Sequence, residues 1–208
     1  MRIEDGNIAE VGGDAGPGDR LVDARGLLLL PGIVDLHGDA FERQIMPRPG
    51  VHFPMQVAFA DTDRQLISNG ITTAYHAVTF SWEPGLRGRD TVIAILDGLE
   101  EARPRLLADS RFHLRFELYN LDVADEVADW MQRGRVDLLA FNEHMAPILR
   151  KADRGEPLGT YTGRTGLSEE DFLALVRSLD ARTDEVAPTV KRLAELARTH
   201  NIPMASHD

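Results

Sequence analysis

Five short apolar runs, separated by segments of helical spacing, leave this chain few ways to fold. They are Leu27 to Val34 leading into His37, Ile71 to Val78, Phe112 to Tyr119, Val136 to Phe141, and Ile202 to Ser206. The intervening helices are marked by Asp61 to Asn69 and by Val92, Ile95, Leu96 and Leu99 behind Asp90, with a break at Pro104. Val123, Val127, Trp130 and Met131 behind an Asp122 cap mark the next. Ser168 with Glu169, Glu170 and Asp171 opens another, its acids near the positive helix end, and Val190, Leu193, Ala194 and Ala197 mark the last, stopped by Asn201 and Pro203. Alternation of this kind requires a parallel sheet with right-handed crossovers. Without a Gly-rich phosphate fingerprint after any strand, it predicts an α/β barrel of the TIM type rather than a Rossmann fold. Residues 146 to 166, Gly-rich, charged and aperiodic, read as a long active-site loop.

The chain has 208 residues, 43% of them apolar, enough for a sizeable core and without a signature of disorder. It contains no cysteine, so any metal must be held by His and carboxylates, and a cytoplasmic location is expected. A formal charge of −11 argues against nucleic acid as a partner, and no membrane span or signal peptide is visible. Residues 1 to 26 read as short strands joined by tight turns at Asp5-Gly6, Gly12-Gly13-Asp14 and Gly16-Pro17-Gly18.

In a β/α barrel the chemistry lies at the carboxyl ends of the strands. The first strand offers His37 and Asp39, which by alternation share a face with Ile33 and Asp35, the latter one layer deeper. Later strands offer Glu117, on one face with His113 and Arg115, then Asn142 and His144, then His207 beside Asp208. Charges on an inward face need a partner, which a cation supplies. Glu117 could equally pair with Arg115, and His144 could hydrogen-bond its own loop. His76 reads as a satisfied barrel-interior histidine or a support for the site, whereas His52, His113 and His200 read as structural. Arg43 and Arg48 follow the first strand and could hold an anionic substrate, with Arg48 fixed between two prolines. Arg150, Lys151 and Arg164 in the long loop could add to them.

Leu30-Pro31-Gly32 leading to Asp35-x-His37-x-Asp39 resembles the first barrel strand of the amidohydrolase superfamily of metal-dependent hydrolases. Phe41-Glu42-Arg43, Pro47-Arg48-Pro49-Gly50-Val51, Pro54, Gly70-Ile71-Thr72-Thr73, His113 to Leu118, Asn142-Glu143-His144 and Ala205-Ser206-His207-Asp208 narrow the likeness. Together they resemble one branch, the triphosphate diphosphatases of the carbon-phosphorus lyase pathway. The resemblance implies residues 1–26 as part of a small β-sandwich and residues 27–208 as the first five β/α units of a distorted barrel. It implies one or two divalent ions (Zn, Mn or Fe) on His37, Asp39, Glu117, His144 and His207, with Glu117 a bridging carboxylate. Asp208 would orient a ligand or touch substrate. The implied reaction converts the triphosphate of a ribose 1-phosphonate to a 5-phosphate and diphosphate.

The same metal site could instead hydrolyse a cyclic amide, an amidine or an N-acyl group, and a barrel holding metal only as a structural staple is a third reading. The expected partner is a small anionic phosphorylated sugar, and a homo-oligomer is compatible with the sequence. A barrel of this type needs about 250 residues and eight strands. The expectation is therefore a piece of a longer reading frame, lacking three strands and the proton-accepting aspartate, and inactive over residues 1–208 alone.

Overall fold

A turn at Asp5-Gly6, with φ of 50° and 78°, joins β1 (Arg2–Glu4) to β2 (Asn7–Glu10) in an antiparallel hairpin. Asp and Gly tolerate the left-handed conformation that a tight hairpin of this kind requires. The computed structural model describes residues 1–48 and 50–207 and divides into two units, Met1–Pro31 and Gly32–Asp208. Among the described residues of the first unit this hairpin is the only sheet, and the expected sandwich is not seen there. Leu27 to Leu30 form no strand and are 70–87% exposed, contrary to the expectation of one buried run through Val34.

The second unit begins with β3 (Ile33–Gly38), α1 (Phe41–Ile45), α2 (Met55–Ser68), β4 (Ile71–Phe80) and α3 (Arg89–Ala102). It continues with β5 (Asp109–Glu117), α4 (Ala124–Gln132), β6 (Leu138–Asn142), α5 (Met145–Asp153), α6 (Gly159–Thr165), α7 (Glu169–Asp180), α8 (Thr183–Thr199) and β7 (Met204–His207). The strands form one parallel sheet in the order β3-β4-β5-β6-β7. That sequential order, with no reversal, fits five consecutive strands of a β/α barrel and not a doubly wound sheet.

Register divides the sheet cleanly into two faces. Val78, Phe80, Phe112, Leu114, Phe116 and Leu139 share the face packed on α2, α3, α4 and α8. Phe80 stacks on Trp130 of α4, with ring centroids 5.4 Å apart and planes 15° apart. Helices α2 and α3 approach closely at Gly98, where a β-carbon would meet that of Met55 at 2.9 Å. The opposite face carries Ala77, Thr79, His113, Arg115, Glu117, Ala140 and Asn142, the layer from which a barrel builds its site.

The edge strand β3 is exposed, with Ile33, Val34 and Leu36 at 54%, 55% and 58%, because it pairs only with β4 among the described residues. Its register slips twice, and between Asp35 and Gly38 three residues of β3 run against two of β4. The bulge breaks simple alternation. Asp35 aligns with Ala74 and turns its carboxylate back to accept the His37 N–H at 2.9 Å, instead of occupying a deeper inward layer.

Helix α2 starts at Pro54, so Asp61 lies inside it and is no cap; Asn69 and Gly70 (φ 76°) end it as predicted. Asp122 does not cap α4 with its side chain, which pairs with Arg182 at 2.8 Å. Residues 146 to 166 are two helices and not an irregular loop. Met145, Ile148, Leu158, Phe172, Val176 and Leu179 bury themselves as a second, smaller core. No helix among the described residues is long and apolar enough to cross a membrane.

Candidate active site

At the carboxyl ends of β4, β5 and β6 the chain concentrates charge in a narrow crevice. Glu117, the last residue of β5, is 3% exposed and accepts a hydrogen bond on Oε1 from Nδ1 of His144 at 2.6 Å. His144 follows β6 and precedes α5, so the end of one strand and the start of the next helix bring the pair together. The hydrogen bond to Glu117 raises the His144 pKa, against burial and the charges of Arg115 and Arg87. With Nδ1 donating to a carboxylate, Nε2 is the atom that can accept a proton or bind a metal.

Arg115 lies two residues below Glu117 on the same face and is 7% exposed. It pairs with Asn142: the amide, oriented with its oxygen toward the guanidinium, accepts from Nε at 3.1 Å and Nη2 at 3.0 Å. Burial, and then the neighbouring Arg87, lower the Arg115 pKa, although guanidinium remains charged. The alternative that Glu117 merely pairs with Arg115 gives way to His144 as the direct partner of Glu117.

Arg164, from α6, donates Nε and Nη2 to Oε2 and Oε1 of Glu83 at 2.7 and 2.5 Å and lies over the Tyr161 ring at 5.0 Å. Burial pulls its pKa down, and the hydrogen bonds and charge of Glu83 outweigh that, so it ends raised. Arg87 donates to Glu42 at 3.2 Å. Thr79, Ser81, Trp82, Glu83, Arg87 and Arg164 wall the crevice around Glu117 and His144. A wider groove of about 670 Å³ lies elsewhere, lined by Arg43, Gln44, Phe53, Val57 and Arg64. It has no carboxylate–imidazole pair.

Of the remaining predicted residues, Asp39 lies near enough to Arg115 for its charge to counter part of the lowering of the Arg115 pKa. His37 and Asp39 are exposed at the end of β3; the His37 ring meets the edge of His113 at 5.5 Å, and Nδ1 of His113 donates to Leu36 O at 2.9 Å. Arg43 lines the wider groove, and Arg48 is exposed and bridges to Val51. Arg150 is exposed, and Lys151 lies 5.6 Å from the centre of the Tyr161 ring. By register His207 aligns with Asn142, but its side chain and all of Asp208 lie outside the described residues.

Glu117 and His144 fit a divalent ion in donor chemistry. Among the described residues no group of three or more His, Asp or Glu converges on a point that could hold a metal. Of the residues expected as ligands, Glu117 and His144 are in direct contact with each other.

His76 proves to be neither barrel-interior nor part of the crevice. It faces the helices, with Phe41 and Phe59 edge-on at 5.6 and 6.0 Å and Nε2 3.1 Å from Ser110 Oγ. Burial lowers its pKa to about 4, so it is neutral when folded. The unfolded chain protonates first as pH falls below about 6.5, so folding weakens from there down to about 4 and no further. The span corresponds to roughly 3 kcal/mol. Urea titrations of wild type and His76→Gln across that window should show a steeper loss in the wild type; parallel curves would contradict the assignment.

Sequence reasoning did not single out Thr79, Glu83 or Arg87. It ended the second strand at Val78, whereas β4 runs to Phe80 and puts Thr79 level with Arg115, in the layer just below Glu117. The rule that barrel sites occupy strand ends would have found Thr79 had that boundary been drawn two residues later.

No family model matches the chain, and no solved structure matches it. Among curated proteins it is 28% identical over 218 aligned residues to the alpha-D-ribose 1-methylphosphonate 5-triphosphate diphosphatase of Escherichia coli (strain K12). The match covers all of this chain and 56% of that protein, so the chain spans about half the length of the curated relative.

Proposed function

We propose that the protein is a hydrolase of phosphonate metabolism that cleaves a ribose 1-phosphonate 5-triphosphate to the 5-phosphate and diphosphate. The observation that carries this reading is the pairing of buried Glu117 with half-buried His144 at the strand ends, walled by Arg87 and Arg164. The 28% identity, over the whole of this chain, to a protein described as a diphosphatase supports it. Cationic walls around a carboxylate suit an anionic substrate despite a net charge of −11, because a crevice focuses the local field.

The proposed cofactor is one or two divalent ions, with Glu117 and His144 as two of the donors. Such an ion, when bound, supplies activated water and neutralises charge at phosphorus. His37, Asp39 and His207 are proposed to complete the set, with Asp208 beside them and Arg43 and Arg48 toward the substrate. The chain's own contribution is positional. Asn142 fixes the Arg115 guanidinium below Glu117, Glu83 holds Arg164, and Glu117, by accepting from Nδ1, leaves Nε2 of His144 as the donor atom.

Removing divalent metal from the full-length protein with a chelator should abolish diphosphate release from the triphosphate, and adding Zn, Mn or Fe back should restore it. Robust hydrolysis of a cyclic amide or N-acyl substrate, with no diphosphate released, would replace this reading with the amidohydrolase one.

A further inference from the structure

We propose that Thr79, Arg87 and Arg164 form a seat for one phosphoryl group of the substrate beside Glu117 and His144, a placement that rests on the phosphoanhydride reading of the crevice. Thr79 is 2% exposed, and its Oγ1 has no hydrogen-bond partner among the described residues. It lines the crevice together with Glu117, His144, Arg87 and Arg164. A buried hydroxyl without a partner opposes folding, and valine would fill the same space without that penalty. The hydroxyl is therefore explained by a ligand that hydrogen-bonds it in the crevice.

The donors around it define the chemistry of that occupant. A hydroxyl and two guanidinium groups suit the oxygens of a tetrahedral anion, and guanidinium binds phosphoryl groups through paired N–H donors. The carboxylates on the walls are already engaged, Glu83 by Arg164 and Glu117 by His144. Glu83 takes Nε and Nη2 of Arg164, which leaves Nη1. Arg87 has one bond to Glu42 at 3.2 Å and a side chain that is 25% exposed. Arg87 is thus the more weakly held part of the wall, and its remaining N–H donors are the ones offered to a phosphoryl oxygen beside Thr79.

The test measures inorganic diphosphate binding to the full-length protein by calorimetry, with unfolding midpoints recorded on the same samples. Thr79→Val should raise the midpoint by about 2–4 °C and weaken diphosphate binding roughly tenfold or more. Thr79→Ser, which keeps the hydroxyl, should bind as the wild type does. Arg87→Met should weaken binding at least as much as Thr79→Val, and provides the same reading should the valine variant fail to fold. A wild type that does not bind diphosphate, or variants that all bind equally, would overturn the seat. If binding follows this pattern but the triphosphate yields no diphosphate, the seat stands and the proposed reaction falls. Unchanged binding in every variant alongside normal turnover removes the seat and leaves the reaction intact.

Discussion

Replacing Glu117 by Gln in the full-length protein should lower kcat/KM for a ribose triphosphate by roughly a thousandfold, or ~4 kcal/mol of transition-state stabilisation. Gln has the shape of Glu and can still accept a hydrogen bond from His144 Nδ1, now 2.6 Å from the carboxylate, so the fold should survive. What it loses is the negative charge, on which both the raised His144 pKa and the donor chemistry depend. Bound divalent metal should fall in parallel. Glu117→Asp, which keeps the charge and shortens the side chain, should retain more activity than Glu117→Gln. A loss below tenfold in Glu117→Gln, with metal content unchanged, would reduce Glu117 to a structural partner of His144.

The largest effect on stability is expected at Phe80. It is fully buried, stacks on Trp130 and belongs to the core that fixes β4 against α3 and α4. Its carbonyl also accepts a hydrogen bond from the Asn120 amide at 3.2 Å, tying the end of β4 to the segment after β5. Phe80→Ala should cost about 3–5 kcal/mol through lost burial and the cavity left behind. That is a large share of the ~5–15 kcal/mol typical of a folded domain. Urea unfolding should show a lower midpoint with an unchanged slope. A loss under 1 kcal/mol would mean that the core collapses around the gap and that the stack with Trp130 contributes little.

Much of the scaffold was legible because it rests on local rules. The strand–helix alternation, the Asn69-Gly70 stop and the Ser168 cap, whose Oγ accepts the Asp171 N–H at 3.1 Å, all follow from short-range chemistry. Alternation along β5 also correctly placed His113, Arg115 and Glu117 on one face. The misreadings have equally local causes. In β3 a bulge cancels the two-residue period, so Asp35 turns onto the backbone and alternation no longer predicts what His37 and Asp39 face. Met145, Ile148, Leu149 and Ala152 recur at helical spacing, but the glycines and charges around them hid the signal for α5 and α6. His76 shares the parity of Phe80 on β4 and so faces the helices, which excludes both readings, barrel interior and support for the site.

The site was legible in kind more than in arrangement. Glu117 and His144 were chosen as polar groups at strand ends, and they do meet. Their surroundings depend on contacts far apart in sequence, such as Arg164 with Glu83 and Arg87 with Glu42, which no spacing rule predicts.

We propose that diphosphate is split from a ribose triphosphate at the Glu117–His144 crevice. Phosphorus NMR of the products formed by the full-length protein from a ribose 1-phosphonate 5-triphosphate tests it most directly. The account predicts diphosphate and the 5-phosphate in equal amounts, with the signals nearly absent in Glu117→Gln. Orthophosphate as the first product, or an unchanged triphosphate in the presence of divalent metal, would contradict it.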